Sequence, residues 1–197
     1  METEIEAKFP QIDAEKLRLK LKEIGAVLVY PEVAMRRKTF DLPSATLYKK
    51  GGWVRVRDEG NTITLTYKQL NDRTLHGTKE ITVSVDDFEK TCELLIAIGF
   101  VQKSFQETKR EKWRHGDVEI TIDTWPWVPT FAEIEGLTER AVKETARTLG
   151  FDWRYAMHGS VENIYQIDYD FTGAEIDGWQ EITFIDPPEW FLKRKKK

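Results

Sequence analysis

Asp117-Val118-Glu119-Ile120-Thr121-Ile122-Asp123 alternates without a break between acidic or hydroxyl side chains and aliphatic ones. A period of two marks a β-strand, whose successive side chains point to opposite faces. Other segments repeat the pattern with different charges. Arg55 and Arg57 share a face opposite Val54 and Val56. Thr62, Thr64, Thr66 and Lys68 oppose Ile63, Leu65 and Tyr67. Glu4, Glu6 and Lys8 oppose Ile5, Ala7 and Phe9, while Glu133 and Glu135 flank Ile134.

Such polar rows have two places to go. They can face water around an apolar barrel, or they can line a tunnel while the aliphatic rows face outward. Amphipathic helices decide between these, because each needs an apolar sheet surface to cover. Three are predicted. The first spans Asp13 to Ile24 (Leu17, Leu21 and Ile24 on one face), the second Asp86 to Ile98 (Phe88, Cys92, Leu95), and the third Thr138 to Leu149 (Val142, Ala146, Leu149). Each stops at a glycine: Gly25, Gly99 and Gly150. An outward aliphatic row supplies their seat and turns the charges inward.

Strands are expected at Glu2–Phe9, Met35–Asp41, Gly52–Arg57, Thr62–Gln69, Lys79–Val85, Phe105–Trp113, Asp117–Thr124 and Phe131–Glu135, with hairpin turns at Asp58-Glu59-Gly60-Asn61 and His115-Gly116. Glu4-Ile5-Glu6-Ala7-Lys8 and Glu80-Ile81-Thr82-Val83-Ser84 each precede a helix, a glycine and a basic strand. The fold class is therefore α+β: an eight-stranded antiparallel β-barrel with a polar interior, helices outside, and two pseudo-two-fold halves. A tunnel domain is expected over residues 1–170, followed by a C-terminal extension, 171–197, with a solvated basic tail. Trp179–Ile185 is a candidate extra strand. Trp190-Phe191 is expected to dock elsewhere on the chain or on a second subunit. Trp125-Pro126-Trp127-Val128-Pro129 is expected as a rim at the tunnel mouth or as packing for the third helix.

Charges turned inward must be paired or hold an ion. The first half brings mainly cations: Lys8, Arg37, Arg55, Arg57 and Lys68. The second brings mainly acids, Asp123, Glu133 and Glu135, joined by Glu4 and Glu6. Carboxylates without His or Cys suit hard cations such as Mg2+ or Mn2+. Arg and Lys suit phosphate oxygens. Together they describe a site for a metal-complexed polyphosphate.

The N-terminal Glu4-Ile5-Glu6-Ala7-Lys8 resembles the signature of the CYTH family, the triphosphate tunnel metalloenzymes. In order down the chain, Arg55-Val56-Arg57, Thr66-Tyr67-Lys68, Lys109-Arg110 with Trp113, Asp123 and Phe131-Ala132-Glu133-Ile134-Glu135-Gly136 resemble the family's remaining motifs. The resemblance covers roughly residues 2–165. It implies metal ligands at Glu4, Glu6, Asp123, Glu133 and Glu135, and phosphate-binding groups at Lys8, Arg37, Arg55, Arg57, Lys68 and Arg110. Glu80 matches the first acid of a middle Glu-x-Glu whose second is here Thr82. The choice of Arg37 over Arg36 is not fixed by the pattern. Lys8 is the catalytic candidate, orienting a terminal phosphate or, with a depressed pKa, helping to activate water.

The resemblance implies a metal-dependent enzyme acting on triphosphates. Hydrolysis of tripolyphosphate, thiamine triphosphate or a nucleoside triphosphate is the favoured reaction. A class IV adenylyl cyclase making cyclic AMP and pyrophosphate is the alternative. A non-catalytic nucleotide- or polyphosphate-binding module is the third reading, and it would be marked by loss of the carboxylates.

A net charge of −4 among 197 residues argues against a general nucleic-acid binder. No P-loop is present, so side chains must hold any phosphates. Cys92 is the one cysteine, which excludes an intrachain disulfide. His76, His115 and His158 lack metal-ligand spacing. With an acidic N-terminus and no long apolar run, the expectation is a cytoplasmic protein with no membrane or nucleic-acid partner. A homodimer is left open.

Overall fold

The computed structural model describes residues 1–196. Its strands are β1 (Glu2–Thr3), β2 (Glu6–Phe9), β3 (Val27–Asp41), β4 (Gly52–Asp58), β5 (Ile63–Leu70), β6 (Thr78–Val85), β7 (Val101–His115), β8 (Val118–Thr124), β9 (Phe131–Glu135) and β10 (Glu181–Ile182). They form one sheet in the order β1-β6-β5-β4-β3-β7-β8-β9-β2, with β10 parallel to β7 and every other pairing antiparallel.

β1 and β2 are pieces of one strand that serve opposite edges of the sheet. β1 pairs with β6 and β2 with β9. Around the break, the Glu4 N–H donates to Thr78 O at 3.0 Å and the Gly136 N–H to Ile5 O at 3.1 Å. Residues 2–9 thereby join the two edges, and the antiparallel sheet curls around a lumen as the alternating pattern predicts. On the β6 side β1 reaches only Lys79 and Glu80, so residues 81–85 keep a free edge at one end.

The two halves are legible in the strand order. β3 and β7 lie side by side at the centre, and the first strand of each half pairs with the last strand of one half: β2 with β9, and β6 with β5. β3 and β7 are longer than the sequence suggests, at 15 residues each. Their first residues follow directly on the helix stops, and the exposed Val27, Leu28 and Val29 carry no polar alternation. Register shifts on either side of Tyr30 mark where Pro31 interrupts the ladder.

The helices take the predicted places: α1 (Ala14–Glu23), α2 (Phe88–Ala97) and α3 (Glu139–Thr148). Asp13, Asp87 and Thr138 cap them by accepting from the backbone N–H three residues on. Gly25 and Gly99 turn the chain out of α1 and α2 at φ of +76° and +102°, where a side chain would be strained.

The aliphatic rows face these helices. Leu17 and Leu21 of α1 and Val142, Ala146 and Leu149 pack with Ala7, Phe9, Ile120, Ile122, Ala132 and Ile134. Phe88, Cys92 and Leu95 of α2 cover Val54 and Val56. Burying such side chains contributes about 1.5–3 kcal/mol each, which holds the inward rows in register.

Residues beyond Met157 build a third cluster. It includes α4 (Glu162–Asp168), α5 (Gly173–Asp177) and α6 (Glu189–Leu192), and it gathers Ile164, Tyr165, Phe171, Ile176 and Phe191 around Trp125 and Phe131. Trp125 thus packs on this segment and not on α3, and Phe191 is fully buried within the same chain. Of the expected strand at 179–185, only Glu181 and Ile182 pair, beside Phe105 and Gln106. β8 pairs with β7 only as far as Lys109, so that stretch of β7 has an edge to offer.

The basic tail is not a free solvated arm over its described residues. Lys193 pairs with Glu189 at 2.9 Å, Arg194 with Glu175 at 3.1 Å, and the Lys196 N–H donates to Asp168 O at 2.8 Å. These partners come from α4, α5 and α6, whose positions the sequence pattern does not reveal. Lys197 lies outside the described residues. No described helix is long and apolar enough to cross a membrane.

Candidate functional site

The inward rows bring the sequence-predicted residues into one lumen. On the acidic side, β2 and β9 run antiparallel with Glu6 opposite Glu135 and Lys8 opposite Glu133. Glu6, Glu133 and Glu135 can each place a carboxylate oxygen within 4.8 Å of the other two. The other two acids expected as metal ligands are engaged by cations. Lys68 Nζ lies 2.6 and 2.9 Å from the Glu4 oxygens. Arg110 grips Asp123 with two bonds, at 2.6 and 3.0 Å, and Thr121 Oγ1 donates to the same carboxylate. Glu80 stands 3.3 Å from Lys68 Nζ, while Thr82 shares a hydrogen bond with Thr66.

Burial, and then the neighbouring Glu133 carboxylate, push Glu6 up to about 8. The same two causes push Glu135 up to about 7. Glu133, despite its burial, is held below the usual carboxylate range by Lys8 and Arg110. The trio is thus short of positive charge. A donor set made only of carboxylate oxygens, crowded enough to retain protons near neutral pH, fits a hard divalent cation.

Lys8 donates to Glu6 and lies 3.3 Å from Glu133. Burial pulls its pKa down, but Glu133 and Glu6 outweigh that and hold it above the ordinary lysine range. The water-activating role conditional on a depressed pKa therefore lacks its condition. Lys8 is a fixed cation beside the acids.

The opposite wall is cationic. β3 and β4 set Arg37 directly across from Arg57, with Arg55 two residues along. Arg37 is the inward arginine: its Nη2 donates to Thr108 Oγ1 at 2.7 Å, and its Cζ lies 4.7 Å from the Trp125 ring centroid. Arg36 points to the outer face, where it meets Asp58, Glu89 and the Phe88 ring. Arg37 Nε and Arg55 Nε are buried without a hydrogen-bond partner, as is Thr64 Oγ1. Burial first, then Arg57, Arg55 and Arg110, lower the Arg37 pKa well below the arginine range. Burial and Arg57 bring Arg55 down to about 9. Unpaired buried guanidinium groups that repel one another are costly unless an anion joins them.

The acids and bases of the lumen pair with one another. Two hollows, of about 360 and 240 Å3, lie away from these pairs, the first reaching Thr108. One is between Arg36, Asp58, Glu107 and Phe184, the other on the outer sheet among Leu65, Tyr67, Ile81 and Val83. Neither carries a lumen carboxylate, Arg37, Arg55 or Arg57.

The sequence reading leaves out several residues of this site. Thr108 belongs to the same inward row as Arg110, and counting back by two would have found it. Glu59 reaches back from the hairpin turn to Arg57. Tyr30 is half-buried near Arg110, Arg57 and Glu59, with burial raising its pKa; its place follows from the irregular start of β3.

The comparisons agree with this geometry. No curated protein matches the chain. Among solved structures, the PH1012 protein of Pyrococcus horikoshii superposes with a TM-score of 0.68 at 23% identity, over 82% of this chain and 98% of its own. A Vibrio parahaemolyticus protein proposed to be an adenylate cyclase gives 0.73 at 15% identity, over 84% and 98%. A Hippeastrum protein, HpAC1, described as an adenylyl cyclase candidate with dominant triphosphatase activity, gives 0.53 at 15%, over 86% and 91%. These likenesses speak to the fold. The CYTH domain model matches residues 2–155, the span that carries every inward acid and base described above, and the chain therefore belongs to the CYTH domain family.

Proposed function

We propose that this chain is a divalent-metal-dependent triphosphatase, cleaving a phosphoanhydride bond of tripolyphosphate, thiamine triphosphate or a nucleoside triphosphate. The observation that carries the reading is the pairing of opposites within one lumen. Two buried guanidinium groups lack an anion, and across from them three crowded carboxylates pair, among the described residues, only with Lys8 and Arg110, too little positive charge to keep Glu6 and Glu135 from being pushed toward the neutral form. A metal-bound polyphosphate supplies the missing anion and the missing positive charge.

Glu6, Glu133 and Glu135 would hold the cation, Mg2+ or Mn2+. Glu4 and Asp123 stand in reserve once Lys68 and Arg110 turn to substrate. Bound there, the metal would polarise phosphoryl oxygens and favour ionisation of a water.

Arg37, Arg55, Arg57, Lys68, Arg110 and Lys8 would grip non-bridging oxygens and hold the chain of phosphates straight. Phosphoryl transfer rests mainly on such positioning and charge stabilisation. Guanidinium groups that are already placed and desolvated need little reorganisation as charge shifts to the leaving group. Lys8, firmly protonated, would neutralise charge rather than accept a proton. Glu80 would tune Lys68.

The test is product analysis. Purified protein is incubated with ATP, tripolyphosphate or thiamine triphosphate, each with Mg2+ and with Mn2+. Orthophosphate release supports the proposal. Cyclic AMP with pyrophosphate from ATP would replace it with the cyclase. Tight binding of all three without turnover would replace it with a non-catalytic module.

A further inference from the structure

Among the described residues, three buried side-chain polar atoms have no hydrogen-bond partner: Arg37 Nε, Arg55 Nε and Thr64 Oγ1. Arg37 and Arg55 are already placed among the proposed phosphate ligands; Thr64 is not. It lies on β5, in the same inward row as Thr66 and Lys68, directly across from Arg57 of β4. Arg57 in turn faces Arg37 of β3. The register therefore sets the Thr64 hydroxyl at the end of a cross-strand line of two arginines, with Arg55 on the diagonal.

The fold leaves this hydroxyl unused. Two residues on, Thr66 Oγ1 shares a hydrogen bond of 2.9 Å with Thr82, its partner on β6. Thr64 has Ser84 in the equivalent place, but Ser84 is exposed and no bond joins the two. Thr64 itself is only 9% exposed. A valine would suit the strand equally well and carry no polar atom to desolvate.

The neighbours limit what can satisfy it. Guanidinium and ammonium groups only donate. The nearby carboxylates are engaged: Glu59 by Arg57, and Glu4 and Glu80 by Lys68. Orphan groups on three adjacent strands call for one acceptor that is not part of the chain. A tetrahedral oxyanion offers several acceptor oxygens at once.

We infer that Thr64 is a substrate contact, its hydroxyl donating to a non-bridging oxygen of the phosphoryl group gripped by Arg55 and Arg57. The inference rests on the triphosphate reading given above and adds a neutral donor to a set made of cations. A hydroxyl fixes where an oxygen lies without adding charge to a wall already crowded with it. Because it meets phosphate and not an organic group, it matters equally for tripolyphosphate and for ATP.

The experiment compares the parent with Thr64→Val and Thr64→Ser, by competition binding of tripolyphosphate and of ATP with Mn2+ present and by thermal melts without ligand. Thr64→Val is expected to bind both ligands about tenfold or more weakly, yet to melt at or above the parent temperature, since it loses a buried polar atom that has no partner. Thr64→Ser is expected to bind within about threefold of the parent. Thr64→Val binding like the parent would overturn the contact and leave the triphosphate reading intact. A loss confined to ATP would place the hydroxyl at the organic end and overturn the phosphate contact. A clearly lower melt of Thr64→Val would show that the hydroxyl serves the fold, and serine as weak as valine would assign the effect to shape; either overturns the inference. Failure of the parent to bind both ligands would overturn the triphosphate reading itself, and this inference with it.

Discussion

Arg57 donates from Nε to Glu59 Oε1 at 2.7 Å, a contact between two residues of the same hairpin end. Glu59 thus covers a guanidinium proposed to bind phosphate. A carboxylate there would compete with an incoming phosphate. Glu59→Gln is expected to lower KM for tripolyphosphate about two- to fivefold with kcat little changed. Initial rates against substrate concentration check this, and an unchanged or raised KM would remove Glu59 as a competitor.

Arg37 is expected to cost the ligand-free protein stability. It is buried, repelled by Arg57, Arg55 and Arg110, and has an orphan Nε. Arg37→Met keeps the bulk and removes the charge. The variant is expected to melt higher, by about 2–4 °C for each kcal/mol gained, while turnover falls about 10²–10³-fold. A lower melting temperature would mean that the bond to Thr108 outweighs the repulsion.

The acidic trio sets a pH dependence. Glu6 and Glu135 are pushed up to about 8 and about 7 in the folded, metal-free protein, against an ordinary value of 4.5. The folded state therefore binds more protons than the unfolded chain between those limits. Stability from these two groups is full below about pH 4.5 and declines as pH rises to about 8. Metal-free protein is expected to melt lower at pH 8 than at pH 6. Added Mn2+ is expected to raise the melting temperature more at pH 8, where the carboxylates are ionised. A metal-induced gain that is equal at both values would argue against this trio as the cation site.

Ile134 lies between Glu133 and Glu135 but faces the other way, fully buried against α3. Ile134→Ala is expected to cost roughly 2–5 kcal/mol of stability and to leave KM near that of the parent in the cold. Thermal melts and low-temperature kinetics separate the two effects. A large KM change with an unchanged melt would mean that the strand's faces are assigned the wrong way round.

What could be read from the sequence followed from alternation. Arg55, Arg57, Glu133 and Glu135 announced an inward charged row because strict period-two aliphatic partners sat between them, and three capped helices needed those partners. The pseudo-repeat was visible because each half restarts with a strand, a helix and a glycine stop. Where alternation fails, the sequence carries no such signal. Tyr30 precedes Pro31 in a stretch whose ladder slips, so its place near Arg110, Arg57 and Glu59 is a tertiary fact. Glu59 is a turn residue whose partner no period predicts. The aromatic cluster against Arg37 is not legible in the sequence because Trp125, Tyr165 and Phe191 come together from separate short segments with no shared pattern. Lys8 shares the inward row with Glu6, but its protonation depends on how close two acids come, which spacing alone does not give.

The broken first strand has a consequence for how the molecule is made. Glu6 finds its neighbours on β9, most of a domain later in the chain, and Arg55 and Lys68 are in hand long before then. During synthesis the basic wall is complete while the acidic wall is still unpaired, and the opening residues must wait for Glu133 and Glu135 to emerge. Contacts so distant along the chain slow folding. The acidic wall should therefore be the last part of the protein to mature, and a nascent chain is expected to bind polyanions before it completes the proposed metal site.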